Sequence, residues 1–142
     1  MTDHVARAEV DVDAAQDAVW AALTDPARIA DWMMGAQVST DWQPGSPITW
    51  QGEMNGTPYE DKGEVLEVDQ PNRLSVTHYS PLMGQADAPE NYHTIVYELS
   101  GGDGPTTVAL TQDGNDSAEQ AEQFSANWQG MLEGLKACVE SS

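Results

Sequence analysis

Cysteine and basic residues are scarce in this sequence. Its 142 residues include one cysteine, Cys138, and 5 lysine and arginine residues against 24 aspartate and glutamate residues, for a net charge of −19. A single cysteine excludes an internal disulfide bond, and a helical position with no basic neighbour favours an inert, packed thiol. A strongly negative surface repels phosphate groups. We therefore expect neither nucleic acid nor a membrane surface to be a partner.

Long apolar runs and catalytic signatures are missing as well. No run approaches the roughly 20 apolar residues of a membrane span, and the start of the chain has no signal-peptide core. The sequence thus predicts a cytoplasmic protein. It contains no nucleophile–base motif, phosphate-binding glycine loop, dinucleotide fingerprint or zinc-ligand spacing. These absences count against hydrolases and nucleotide enzymes, and we expect neither a cofactor nor a metal.

The acidic residues are dispersed along the chain, which predicts a solvated shell rather than an acidic tail. Such a composition is typical of a host adapted to high salt or of a strong compositional bias, and both interpretations stay open. The length predicts one domain over residues 1–142, large enough for a core of its own.

Two short helices are predicted after the first strand. Residues 4–12 alternate apolar and polar side chains, as a half-buried strand does. Asp13 and Gln16 have the spacing of a capping box, which predicts a helix over 14–23. An aspartate followed by proline then predicts a second helix over 26–32.

Strands fill the middle of the chain, and a long helix ends it. Asp116 and Glu119 are predicted to cap that helix, which runs to about Glu140 with apolar residues recurring at intervals of three and four. The polar segment Pro81–Asn91 predicts a mobile loop. Period-two runs between turn residues predict six strands, over 36–42, 46–54, 58–69, 73–80, 92–100 and 106–113.

Four groups of residues carry a resemblance to a known family. In chain order they are Val19-Trp20-x-x-Leu23-Thr24-Asp25-Pro26 with Trp32, Tyr59-x-Asp61-x-Gly63-x-Val65-x-Glu67-x-Asp69-x-Pro71-x-Arg73-Leu74, Val96-Tyr97-Glu98-Leu99 with Thr106 and Thr107, and Trp128-x-x-x-Leu132-x-x-Leu135-Lys136. Together they resemble the START/polyketide-cyclase (SRPBCC) superfamily, and within it the domain named for the activator of heat-shock protein 90 ATPase homologue. The resemblance implies an α+β helix-grip fold, in which a curved antiparallel sheet wraps around the C-terminal helix and encloses an apolar cavity.

The hairpin turns predict a row of polar residues at one end of the concave sheet. His93 is expected opposite His78 on one neighbouring strand and opposite Gln112 on the other, with Glu64 opposite His78. A bulge at Val65-Leu66 would remove Glu64 from this row. Three interpretations stay open: the rim of a cavity, a cluster that orients a ligand, or, against the expectation of no metal, a metal site. Two histidines side by side on the pocket face should hinder each other's protonation and titrate in two steps.

The candidate ligand-binding residues join this row to aromatic and apolar side chains. Aromatic rings and methionine form adaptable walls for a flat apolar ligand, although the same residues are equally suited to filling a core. No catalytic residue is assigned, and Glu60 and Asp61 are expected to be solvated. The candidates are Trp50, Tyr59, His78, His93, Tyr97, Gln112, Phe124, Trp128, Met131 and Leu135.

Three functions are compatible with these features. The preferred one is a carrier or sensor that binds a small hydrophobic or aromatic ligand, because a cavity is implied and a catalytic motif is not. The second is a cyclase- or dehydratase-type enzyme that uses the pocket histidines for proton transfer. The third is a co-chaperone-like interaction module, although the co-chaperone that names the family also has a separate N-terminal partner-binding domain with no counterpart here. The oligomeric state is left open.

Overall fold

The fold was analysed in a computed structural model that describes residues 4–33, 35–54, 56–80, 86–88, 91–115 and 117–141. Within them, seven antiparallel strands form one sheet in the order β1-β7-β6-β5-β4-β3-β2. The predicted helix-grip α+β fold is confirmed. The elements are β1 His4–Val12, α1 Gln16–Thr24, α2 Pro26–Trp32, β2 Gln37–Ser39, β3 Pro47–Met54, β4 Thr57–Asp69, β5 Arg73–His78, β6 His93–Ser100, β7 Thr106–Asn115 and α3 Ala118–Glu140.

The start of α1 corrects the predicted capping box. The helix begins at Gln16 rather than after Asp13, and the residue before it makes no side-chain capping bond. The Gln16 side chain is buried and is used elsewhere. Its Nε2 donates to the carbonyls of Pro71 at 2.8 Å and Leu99 at 3.2 Å, and its Oε1 accepts from the N–H of Gly102 at 2.9 Å. Gln16 therefore ties two turns to the first helix instead of closing a cap.

The other two helix starts follow the expected chemistry. Asp25 caps α2, accepting from the N–H of Ala27 at 3.0 Å just before the predicted proline. The hydroxyl of Ser117 caps α3 by accepting from the N–H of Gln120 at 3.1 Å. The predicted cap Asp116 lies outside the described residues, as does most of the predicted loop before β6.

One predicted strand register is confirmed, and one is wrong by two residues. His78 lies opposite His93, as expected. Gln112, however, lies opposite Ile95 rather than His93. The displacement begins at the turn, where Thr106 pairs with β1 and donates its hydroxyl at 2.8 Å to a backbone carbonyl just before α1. Since side chains alternate with period two, a shift of two residues keeps every inward residue on the inner face.

The bulge anticipated in β4 is present. The register between β4 and β5 shifts between Val65 and Glu67, so that Leu66 is the extra residue, 42% exposed. Glu64 is exposed, and its N–H donates to the Thr77 hydroxyl at 2.8 Å. The expectation that Glu64 belongs to the polar row is therefore wrong.

Helix α3 covers the free edge of β1. Four polar side chains of α3 satisfy backbone groups that an edge strand would otherwise leave open to pairing with another chain. The bonds join Ser125 to the Arg7 N–H at 2.9 Å, Gln129 to the Glu9 N–H at 3.2 Å and carbonyl at 2.9 Å, Lys136 to the Asp11 carbonyl at 3.0 Å, and Glu140 to the Asp13 N–H at 2.9 Å.

The core lies between the inner face of the sheet and the three helices. Leu132 and Leu135 of α3 are fully buried against it, whereas Trp128 and Met131 are only partly buried. The Trp32 ring of α2 is also buried and donates from Nε1 to the Ala22 carbonyl at 2.9 Å. Among the described helices, none is both long and apolar enough to cross a membrane.

Candidate functional site

Four neighbouring strands bring polar and aromatic side chains together on the inner face of the sheet. Trp50 of β3 lies opposite Asp61 of β4, and His78 of β5 lies opposite His93 of β6. We call this group the concave end. Compared with the predicted polar row, it contains Asp61 where Glu64 was expected.

Asp61 and His78 form the polar centre of the concave end. His78 Nε2 lies 2.9 Å from Asp61 Oδ2, and the two side chains are 25% and 15% exposed. Because a carboxylate accepts, this bond assigns the imidazole proton to Nε2 and leaves Nδ1 of the neutral ring as an acceptor. The edge of the Trp50 ring packs against the imidazole, with centroids 5.1 Å apart at 65°. The histidine is thus held by a carboxylate on one side and an aromatic ring on another.

His93 has a different role from the histidine beside it. Its side chain is buried, and Nδ1 donates to the Asp113 carbonyl at 2.7 Å. Its ring lies 6.0 Å from that of Phe124. A Cβ on Gly114, which has a φ of +74°, would come within 3.1 Å of the same nitrogen. The backbone of β7 therefore fixes this imidazole, and its Nδ1 is already used.

Gln112 orients Trp128 rather than His93. The indole Nε1 of Trp128 donates to Gln112 Oε1, and the Trp128 ring meets Tyr97 edge to face at 6.3 Å. Both Gln112 and Tyr97 are buried. Burial raises the pKa of the Tyr97 hydroxyl far above its ordinary value. The hydrogen bond to Gln112 and the ring contact with Tyr97 together position the Trp128 indole over the sheet.

The remaining candidates divide between partly buried residues and the core. Tyr59 is partly buried, and its pKa is raised, mainly by burial and secondarily by the negative charge of Asp61. Phe124, like Trp128 and Met131, is partly buried, although it projects from a helix that packs on the sheet. Leu135 is fully buried and belongs to the core. The partly buried candidates of α3 therefore lie between Phe124 and Met131.

Asp61 is the site residue that sequence reasoning missed. It was expected to be solvated, like its neighbour Glu60, which is indeed exposed and bonds Gln51 on the outer surface. The signal was present in the strand pattern, since Asp61 alternates in phase with Tyr59 and with the fully buried Val65. That phase assigns the carboxylate to the inner face.

The charges around the concave end determine which ligands fit. Four of the five basic side chains make their recorded contacts elsewhere: Arg28 with the Cys138 carbonyl, Lys62 with Asp87, Arg73 with Glu67 and Glu98, and Lys136 with Glu140. The fifth, Arg7, is exposed on β1. An anionic ligand would therefore meet Asp61 without a compensating cation. In the described part of the chain, no three His, Cys, Asp or Glu side chains are grouped as a metal site requires.

Comparison with known proteins gives the same fold and a family. A protein of Cytophaga hutchinsonii solved in solution is 39% identical, with 99% of this chain and 97% of that chain covered and a TM-score of 0.85. DynU16, a protein of the dynemicin biosynthetic locus, is 26% identical, with 98% and 48% covered and a TM-score of 0.79. An AHSA1-like protein of Aeromonas hydrophila is 23% identical, with 96% and 92% covered and a TM-score of 0.76. No curated protein sequence matches.

The family model described as activator of Hsp90 ATPase homolog 1-like protein matches residues 13–140. All four groups of residues on which the sequence resemblance rests lie within that range. The chain therefore belongs to the activator of Hsp90 ATPase homolog 1-like family.

Proposed function

We propose that the protein binds a small apolar or aromatic ligand between the concave end of the sheet and the segment of α3 from Phe124 to Met131, as a carrier or a sensor. The observation that carries this proposal is the partial exposure of large apolar side chains on facing elements. Tyr59 lies on the sheet, while Phe124, Trp128 and Met131 project from the helix. Ligand sites typically combine such apolar walls with a few polar groups, here the pair His78 and Asp61.

The docking of α3 supports a ligand space in this region. The helix packs mainly on β1, while β4 and β3 lie four and five positions further along the sheet. The core closes where Leu132 and Leu135 meet the sheet. Nearer the start of the helix, a ligand space would be bordered by the partly buried rings of Phe124 and Trp128 and the thioether of Met131. A flat ligand fits such a space better than a polar or branched one.

A titration with 4-propylanisole, an uncharged aromatic probe, tests the proposal. Amide and indole NMR signals should shift at Tyr59 and Trp128. Phe124→Ala should weaken binding by at least about fivefold, since a buried aromatic contact contributes on the order of 1 kcal/mol or more. Gln123→Ala replaces the exposed residue that precedes Phe124. It serves as the matched control and should leave the affinity for 4-propylanisole unchanged.

Two outcomes of this titration would contradict the proposal. A depression of about 350 Å³ lies on another part of the surface, bordered by Ser39, Asp41, Ser46 and Thr49. Shifts confined to those residues, or an affinity unaffected by Phe124→Ala, would place the probe outside the concave end.

A cyclase- or dehydratase-type enzyme is the second candidate. The favouring observation is the bond between His78 and Asp61, because a histidine oriented by a carboxylate is suited to general base catalysis. DynU16 comes from a biosynthetic locus, which agrees with a role in the chemistry of small molecules. For an enzyme of this kind, His78→Gln should abolish turnover while 4-propylanisole still binds. Binding without any turnover would favour the carrier or sensor.

A further inference from the structure

The pair of His78 and Asp61 leaves one imidazole nitrogen unused. Nε2 is occupied by Asp61 Oδ2 at 2.9 Å. No described residue makes a hydrogen bond with Nδ1. Nδ1 is also not one of the polar atoms that are buried without a partner in the described part of the chain. With 25% of the side chain exposed, this nitrogen is open to solvent at the concave end. In the neutral ring, its lone pair accepts a hydrogen bond.

From this geometry we infer that His78 Nδ1 accepts a hydrogen bond from a hydroxyl group of the ligand, and that the ligand class is a phenol or an enol on an apolar body. The inference rests on the proposed function and adds the polar group that the site selects. Trp50, packed 5.1 Å from the imidazole, and the partly buried Tyr59 supply the apolar surroundings for such a ring.

The charges of the neighbouring groups favour an uncharged donor. Asp61 and Tyr59 approach from β4 and His93 from β6, and no basic side chain is directed here. A carboxylate ligand would be repelled by Asp61. An ether has no proton to donate, so it would leave Nδ1 without a partner after its water is displaced. A hydroxyl satisfies the nitrogen without adding charge.

Asp61 is a positioning residue in this arrangement. Its carboxylate can only accept, and it therefore keeps the proton on Nε2 and the lone pair on Nδ1. An asparagine at this position can donate as well as accept. Asp61→Asn would thus allow the opposite tautomer, in which Nδ1 carries the proton and no longer accepts a hydroxyl.

The test compares 4-propylphenol with 4-propylanisole, which differ in the ability to donate. Dissociation constants are measured by NMR titration for the wild type, for Asp61→Asn and for Glu60→Gln. The last variant is the matched control, because it removes a carboxylate from the adjacent, outward position of the same strand. Imidazole ¹⁵N shifts report the tautomer of His78 directly, whether or not a ligand is bound.

We expect the wild type and Glu60→Gln to prefer the phenol by about tenfold, which is the size of one hydrogen bond. In Asp61→Asn the preference should fall to about twofold or less, with a change in the His78 ¹⁵N shifts. Equal affinities for the two probes in the wild type would overturn the inference and leave the proposed function intact. Failure of both probes to bind would overturn both. A full phenol preference in Asp61→Asn despite a changed tautomer would also contradict the inference.

Discussion

At the scale of single residues, Gln112 and His93 carry polar atoms that are paired inside an apolar setting. Gln112 is 3% exposed, and its Oε1 accepts from the Trp128 indole. His93 is fixed in the same way by a backbone carbonyl. A buried polar atom that loses its only partner retains the cost of having left water. These pairs should therefore be sensitive to changes that keep the shape but remove a donor.

Trp128→Phe should lower the free energy of unfolding by about 1–3 kcal/mol, because it leaves Gln112 Oε1 buried without a donor. The combined variant with Gln112→Leu should recover part of this loss, since the orphaned amide is then absent as well. Urea unfolding of the two single variants and the double variant measures the coupling. Strictly additive losses would show that the indole–amide bond contributes nothing.

Tyr97 gives a pH dependence whose sign follows from burial. Burial raises the pKa of its hydroxyl in the folded state above the ordinary value of 10.0. The associated stability is therefore fully present below about pH 10 and is lost as the pH rises towards the folded-state pKa. Tyr97→Phe should make the stability less sensitive to pH above about 10, as circular dichroism during alkaline titration would measure. Tyr59→Phe, at a less buried site, should have a smaller effect; an effect at least as large would contradict this account.

At the scale of secondary-structure elements, α3 has two functions along its length. Its polar face bonds the edge of β1, and its apolar face closes the core at Leu132 and Leu135. Its segment with the partly buried Phe124, Trp128 and Met131 is the part that the proposed function assigns to binding. Stability and binding should therefore separate along the helix.

Substitutions at Leu135 and Met131 test this separation. Leu135→Ala should cost about 2–5 kcal/mol of stability, as expected for a fully buried leucine. Met131→Ala should cost clearly less, because the thioether is partly exposed, but should weaken binding of 4-propylanisole. Thermal or urea unfolding together with the titration gives both quantities. A Met131→Ala variant as unstable as Leu135→Ala would assign this part of the helix to the core.

The bond between α3 and the edge of β1 predicts a local effect. Gln129→Ala removes the partner of both the N–H and the carbonyl of Glu9 and should cost about 1 kcal/mol. The Glu9 amide should then exchange with deuterium faster. Gln123→Ala, on the exposed side of the same helix, should change neither quantity, and unaltered exchange at Glu9 in Gln129→Ala would contradict the assigned bond.

The sequence was sufficient to predict the fold and the pairing of His78 with His93. It was not sufficient to predict the register between β6 and β7. Periodicity and the family motifs predicted every element, and His78 was correctly placed opposite His93. The displacement of Gln112 by two residues could not be detected from the pattern, because both registers keep the same residues inward. Asp61 was missed because an acidic residue in so acidic a chain was expected in the solvated shell, although its phase in the strand indicated otherwise.

At the scale of the whole molecule, charge is the dominant feature. A net charge of −19 on 142 residues creates self-repulsion that opposes folding. Three of the basic residues are already engaged in ion pairs, namely Lys62, Arg73 and Lys136. Salt in solution must therefore supply most of the screening.

The melting temperature should rise as sodium chloride is increased from about 0.01 M to about 1 M, since the screening length falls from roughly 30 Å to roughly 3 Å over this range. Differential scanning calorimetry measures the effect. The rise should be steepest at low salt, where screening of charges rather than a general salt effect operates. A melting temperature that is independent of salt, or that falls, would contradict the role assigned to self-repulsion.

The central claim is that an uncharged aromatic ligand binds at the concave end, and intermolecular nuclear Overhauser effects with bound 4-propylphenol test it most directly. The account predicts contacts from the phenol ring to the side chains of Tyr59, Phe124 and Trp128, with the hydroxyl end near His78. Contacts confined to the surface around Ser39 and Thr49, or the absence of any contact from a saturated complex to these four residues, would contradict it.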